Sequence, residues 1–167
     1  MLETDSVSFA LRGHGRVGAR IIEHPPSQIC ISAITLAELN FAAERRDSRK
    51  LRALIERFAS TIAVMPFDDE CSASFGKLAS KLVSKGRPIG QYDTLIAAHA
   101  IALGVTLVTN NEKHFKHVDG LKIANWVQHD SLAALRSCRV HPRIARRPRR
   151  DERRTTRARA GRLNGQA

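Results

Sequence analysis

The sequence predicts an α/β fold, a sandwich in which a mainly parallel central sheet is flanked by helices. Three observations lead there. Short apolar, β-branched runs recur at Ile29–Ile31, Ile62–Met65 and Val105–Val108, each long enough for a buried strand and too short for a helix. Amphipathic helical stretches separate these runs, the alternation that a parallel sheet requires. A length of 167 residues with 43% hydrophobic content suits one domain with a sizeable core.

The elements follow in order. Leu2 can end a strand, but so little precedes it that the first strand reads as truncated. Asp5-Ser6 reads as a helix start. A stripe through Val7, Phe9, Leu11, Val17, Ile21 and Ile22, interrupted at Gly13 and Gly15, predicts a helix to Glu23, which Pro25-Pro26 ends. After the strand at Ile29–Ile31, Thr35 and Glu38 fit a capping box for a helix that carries Leu39, Phe41 and Ala42. The charged cluster from Glu44 to Lys50 makes a turn. Leu51, Leu54, Ile55 and Phe58 then line one helical face.

The strand at Ile62–Met65 stops at Pro66, and Asp68, Asp69 and Glu70 open a helix to about Lys85, where acids suit its positive end. Pro88 and Gly90 predict a turn, and a helix runs from about Tyr92 to Leu103 with Gly104 as its stop. The strand at Val105–Val108 leads to Asn110 and Asn111. Leu121–Trp126 alternates as an edge strand does.

From about Arg139 the apolar periodicity stops. The reading is therefore one domain over residues 1–128 and an Arg-rich, disordered tail over 129–167. Residues 137–167 hold eleven Arg, no Lys and two acids, so +9 of the net +12 lies there and only +3 in residues 1–136. The body is mildly basic. The tail is either a nucleic-acid arm or an extension without a role.

No apolar run approaches the roughly 18–20 residues of a membrane span, and no secretory signal opens the chain. Cys30, Cys71 and Cys138 are odd in number and far apart, which suits buried thiols in a reducing, cytoplasmic setting better than disulfides or a metal cluster. His99 reads as a packed histidine. His114 and His117 read as facing solvent.

Four positions fall at element boundaries on one edge of the expected sheet: Glu3 or Asp5, Glu38, Asp93, and Asn110 with Asn111. Each alone has a dull explanation, as a terminus, a cap or a dipole partner. Together they matter, because converging carboxylates repel and a divalent cation removes the conflict. Oxygen donors suit Mg²⁺ or Mn²⁺, an ion that activates water and stabilises a phosphoryl oxyanion. The chemistry implied is phosphodiester hydrolysis. Lys77, Lys81, Lys85 and Arg87 lie near the proposed site and could meet nucleic-acid phosphates, although a solvated helix face explains them nearly as well.

Four segments carry a resemblance: Ile-Ser-Ala-Ile-Thr-Leu-Ala-Glu-Leu (31–39), Pro-Ile-Gly-Gln-Tyr-Asp-Thr-Leu-Ile-Ala-Ala-His-Ala (88–100), Thr-Leu-Val-Thr-Asn-Asn-Glu-Lys-His-Phe (106–115) and Val-Asp-Gly-Leu-Lys-Ile-Ala-Asn-Trp (118–126). Over about residues 2–127 the chain resembles the PIN-domain family, most closely VapC-type toxins of bacterial type II toxin–antitoxin systems. The resemblance implies a PIN-like sandwich and a Mg²⁺-dependent (or Mn²⁺-dependent) endoribonuclease. It also implies a small VapB-type antitoxin and a homodimer. Glu38 and Asp93 match the family's second and third acidic residues. Asn110-Asn111 occupies the fourth site, and Thr109 matches the hydroxyl residue there. By the same resemblance Glu38, Asp93 and Asn111 are catalytic, Glu3, Asp5, Glu38 and Asp93 hold the metal, and Asn111 helps to hold a water.

The first acidic site departs from the pattern. Leu2-Glu3-Thr4-Asp5 stands where the family has Leu-Asp-Thr-Asn/Asp after a full strand. The added methylene moves the carboxylate by about a bond length, and about 1 Å can matter greatly in catalysis. A truncated strand would also leave its neighbours unpaired. A catalytically degenerate module that only binds antitoxin or RNA is therefore the second reading.

Overall fold

The structure, a computed structural model, describes residues 1–127. The Arg-rich tail and Cys138 lie outside the described residues. Helices α1 (Thr4–Arg12) and α2 (Val17–Glu23) come first, then a 3₁₀ turn (Pro26–Gln28) and strand β1 (Cys30–Ser32). Helices α3 (Ala33–Arg45) and α4 (Arg49–Thr61) lead to β2 (Ala63–Met65), then α5 (Asp69–Ser84) and α6 (Gln91–Ala102). Strand β3 (Leu107–Val108), the short helix α7 (Glu112–Phe115) and β4 (Ile123–Ala124) complete the order.

The first residues do not leave a gap in the sheet. β1 pairs with β2 and β3 with β4, all parallel. Leu2 joins the two pairs, forming parallel bridges to Ile31 on one side and Val108 on the other. Its backbone closes both seams: Leu2 N–H donates to the Cys30 carbonyl (2.8 Å), Glu3 N–H to Val108 (2.9 Å), and Val108 N–H to Met1 (2.8 Å). The expected unpaired strands are thus paired, and Glu3 emerges at the centre of the sheet's C-terminal edge.

Alternation along the strands divides the core by sheet face. Met1, Cys30 and Leu107 pack with Leu78 and Leu82 of α5 and Ile96, Ala97 and Ala100 of α6. Leu2, Ile31 and Val108 pack with Val7 of α1, Val17 of α2, Leu39 of α3 and Ile55 of α4. Leu2 is 1% exposed, and burying such a side chain contributes about 1.5–3 kcal/mol, so a stub of three residues is anchored.

Several boundaries differ from expectation. The stripe to Glu23 is two helices, because Gly13 adopts φ +70° and returns its N–H to the Ala10 carbonyl while His14 N–H bonds that of Phe9, ending α1. Helix α1 starts at Thr4 with Glu3 as its N-cap, slightly before Asp5-Ser6. The capping box at Thr35 and Glu38 does not form. The cap is Ser32, at the end of β1, whose Oγ accepts from Ile34 N–H at 3.0 Å, so Thr35 is already helical and buried. Leu121–Trp126 narrows to two strand residues, since β3 offers only Leu107 and Val108 to pair with. Cys30, Cys71 and His99 are buried as expected, with His99 Nδ1 2.8 Å from Ser32 Oγ and its ring edge-on to Phe67. No helix among the described residues is long and apolar enough to cross a membrane.

Candidate active site

The C-terminal ends of parallel strands are where α/β sheets collect ligands. Here the rim is built by four segments: Glu3 to Ser6 after the central stub, α3 after β1, the first turn of α6, and Thr109 to Asn111 after β3.

Glu3 is 6% exposed. Thr109 Oγ1 donates to its Oε2 at 3.1 Å, and Thr109 Oγ1 itself accepts from Asn111 N–H at 2.9 Å. Burial pushes the Glu3 carboxyl up to about 9, a hydrogen bond with Asp5 and the charges of Asp5 and Asp93 push the same way, and Thr109 opposes. Glu3 therefore keeps its proton near neutral pH. Asp5 is tied on both oxygens: Asn110 N–H donates to Oδ2 (2.9 Å) and Ser6 Oγ to Oδ1 (3.1 Å).

Glu38 projects from α3 and accepts from Thr4 Oγ1 on Oε2 at 2.5 Å. Partial burial raises its carboxyl above the usual range, the Thr4 hydroxyl opposes this, and the charge of Asp93 adds to it. Asp93 lies in the first turn of α6, its side chain 23% exposed and its Oδ2 3.1 Å from Nδ1 of His114. Asp93 thus acts electrostatically on both Glu3 and Glu38, which brings three separate segments into one field.

The structure brings Glu3, Asp5, Glu38, Asp93, Thr109, Asn110 and Asn111 to this rim. Among the described residues, however, no group of three or more His, Cys, Asp and Glu side chains is already arranged to hold a metal. Thr4, Thr109, Asn110 and His114 each bond one of these carboxylates instead. In kind the donors fit a hard divalent cation, being oxygens. In electrostatics they fit too, since the charges acting on Glu3 and Glu38 are those of acids. Loading requires Glu3 to give up its proton and the side chains to close in.

Lys85 and Arg87 lie at the C-terminal end of α5 and just beyond it. Lys85 Nζ is 2.7 Å and Lys81 Nζ 2.8 Å from Asp119 Oδ2, and the two ammonium groups hold the Asp119 carboxyl down at about 2. The pair ties α5 to the loop before β4.

The sequence reading missed three groups. Thr4, Ser6 and His114 each bond a rim carboxylate, and Ser6 Oγ shares its single proton between Asp5 Oδ1 and the Val108 carbonyl, 2.9 Å away. His114 faces solvent, as expected, yet also meets Asp93. No spacing in one dimension announces these contacts. Only the neighbourhood of His114 to Asn111 hinted at one.

Comparison with known proteins agrees with this geometry. The PIN domain matches residues 4–121. The tRNA(fMet)-specific endonuclease VapC of Salmonella typhimurium is 34% identical over 128 residues, 75% of this chain and 96% of that protein. Ribonuclease VapC2 of Rickettsia felis is 35% identical over 129 residues, 75% and 96% of the two chains. The structure resembles that of DNA-bound VapBC from Salmonella typhimurium, with a TM-score of 0.72 at 34% identity over 75% of this chain and 96% of that one. It also resembles VapBC2 from Rickettsia felis bound to a promoter DNA fragment, with a TM-score of 0.68 at 36% identity over 75% and 97%. The chain belongs to the PIN-domain family, in its VapC branch.

Proposed function

We propose that this chain is the endoribonuclease toxin of a toxin–antitoxin pair and hydrolyses RNA phosphodiester bonds with Mg²⁺ (or Mn²⁺). The observation that carries this reading is the convergence of Glu3, Glu38 and Asp93, from three segments, into one field of mutual repulsion at the sheet's C-terminal rim. The names of the relatives, tRNA(fMet)-specific endonuclease and ribonuclease VapC, support it.

Glu3, Glu38 and Asp93 would hold the cation, with Asp5 beside them. When bound, the ion supplies Lewis acidity that activates water and offsets charge on a phosphoryl oxygen. The chain's own groups set the stage. Thr109 Oγ1 holds Glu3 Oε2, Thr4 Oγ1 holds Glu38 Oε2, and Asn110 N–H holds Asp5 Oδ2. Asn111, fixed through its N–H to Thr109, orients water with its side-chain amide. Asn110 Oδ1 accepts from Asn125 Nδ2 at 3.2 Å, which steadies the loop. Lys85 and Arg87 meet RNA phosphates beyond the rim, Lys85 while still shared with Asp119.

The neighbours are VapBC complexes, so a small VapB-type antitoxin is the proposed protein partner. Exposed Ile22, Phe41, Val83 and Tyr92 leave apolar surface for it and for a second copy of the chain in a homodimer. A cytoplasmic location follows from such a role.

RNA cleavage with and without Mg²⁺, by wild type and Asp93→Asn, tests this reading. The initiator tRNA named for the Salmonella relative is the first substrate to try. Equal activity in the two proteins sinks it. A second reading, a catalytically degenerate module that only binds antitoxin or RNA, is favoured by Glu3 itself, held neutral against Asp5. Tight RNA or antitoxin binding without any cleavage supports that alternative.

A further inference from the structure

We propose that His114 is the positioning residue of Asp93, fixing which carboxylate oxygen Asp93 offers to a divalent cation. The inference rests on the reading of the rim as a metal site. It begins from an exposed histidine that is not simply solvated: its side chain is 55% exposed, yet Nδ1 lies 3.1 Å from Asp93 Oδ2.

The local fold explains why the ring sits there. Phe115, the next residue, is 1% exposed and belongs to the α5–α6 face of the core. With Phe115 buried, α7 cannot swing freely. His114 N–H also donates to the Asn111 carbonyl at 3.1 Å. The turn that holds Glu3 through Thr109 and Asn111 therefore also carries the imidazole to Asp93. Gly90 stands close to the same carboxylate, since a Cβ there would lie 3.5 Å from Oδ2.

Oδ2 is thus occupied by a donor, while Oδ1 takes no hydrogen bond from the described residues. A carboxylate tied at one oxygen loses rotational freedom about its terminal torsion, and its other oxygen becomes the one available to a ligand. Groups that orient metal ligands in this way are worth about 10–100-fold in metal affinity or activity. A neutral imidazole with its proton on Nδ1 suffices, and a second proton on Nε2 leaves the contact unchanged. The role is therefore geometric and does not depend on the charge of the ring.

The test uses Mn²⁺ alone as the probe. Its affinity for the full chain is measured from the electron paramagnetic resonance signal of the free ion. Wild type, His114→Leu, His114→Asn, Asp93→Asn and the double variant His114→Leu with Asp93→Asn are compared. His114→Leu is expected to weaken Mn²⁺ binding about 10-fold, with its melting temperature retained. His114→Asn, whose amide nitrogen falls near the place of Nδ1, is expected to restore most of it. The double variant should bind no worse than Asp93→Asn alone. In saturating metal, kcat for RNA cleavage should fall in His114→Leu with KM unchanged.

Wild-type Mn²⁺ affinity in His114→Leu, alongside a loss in Asp93→Asn, overturns the positioning role and leaves the metal site standing. A raised KM with unchanged Mn²⁺ affinity overturns it as well, and makes His114 an RNA contact. Unchanged Mn²⁺ binding in Asp93→Asn overturns the metal site, and this inference with it.

Discussion

Glu3 and Asp93 are carboxylates on the same rim, but the fold treats them in opposite ways. Glu3 is positioned by backbone: the stub of residues 1–3 is zipped between β1 and β3, and its side chain is 6% exposed and held neutral up to about pH 9. Asp93 is positioned by a helix start and by an exposed side chain, His114, and keeps 23% of its own side chain in solvent. One carboxylate is fixed and costly to ionise. The other is partly solvated and held by a single side-chain contact. A cation at this rim would have to displace a proton at Glu3. The difference shows that position and charge need not come from the same part of a fold.

Substitutions at the two acids should separate activity from stability. Asp93→Asn is expected to lower RNA cleavage by about 10²–10³-fold, the scale of losing a group that stabilises charge in the transition state. Its melting temperature should stay at the wild-type value, since the group is partly solvated. A loss of folding in Asp93→Asn would break the contrast with Glu3.

Phe115→Ala probes the shared support of both sides. Removing a fully buried Phe costs about 3–5 kcal/mol, readable by chemical denaturation. Cleavage should fall with it, because α7 carries His114 and follows the Thr109–Asn111 turn. Normal stability would mean that the helix is not anchored by this ring.

Glu3 leads the pH dependence of stability across the neutral range, and Glu38 adds to it in the same direction. An acid whose folded pKa is raised binds its proton more tightly folded than unfolded. Its contribution is whole below its ordinary value of 4.5 and is lost as pH rises through about 9. The metal-free protein should therefore melt lower at each step across that window, and Glu3→Gln should flatten the decline. Parallel slopes in the two proteins would show that Glu3 is not the group responsible.

The smallest effect lies away from both acids. Lys85→Ala should leave cleavage chemistry intact, weaken RNA binding evenly across sequences, and reduce the salt slope of binding by about one. An unchanged slope would leave Lys85 as a tie to Asp119 only.

The rim was legible in the sequence where it depends on element boundaries. Asp93 stands just after a Pro-Gly turn that starts a helix, Asn110 and Asn111 follow a β-branched run, and Glu38 sits early in the helix after a strand. Other features depend on contacts across the chain. Thr35 looked like a cap because Thr-x-x-Glu is a local pattern, but Ser32 captures that role by ending β1 first. Glu38 then takes its hydroxyl partner from Thr4, 34 positions away. The stub's pairing with both β1 and β3 was likewise invisible, since alternation and propensity say nothing about which strands will be neighbours. His114 looked solvated for the same reason.

The central claim is that these carboxylates are held together for a cation although one of them resists ionising. The most direct measurement is the number of protons released when Mn²⁺ binds near neutral pH, obtained calorimetrically in buffers of different ionisation enthalpy. The account predicts that wild type releases close to one proton per ion bound, and that Glu3→Gln binds with that release abolished. Binding by wild type with no proton released, or an undiminished release in Glu3→Gln, would contradict it.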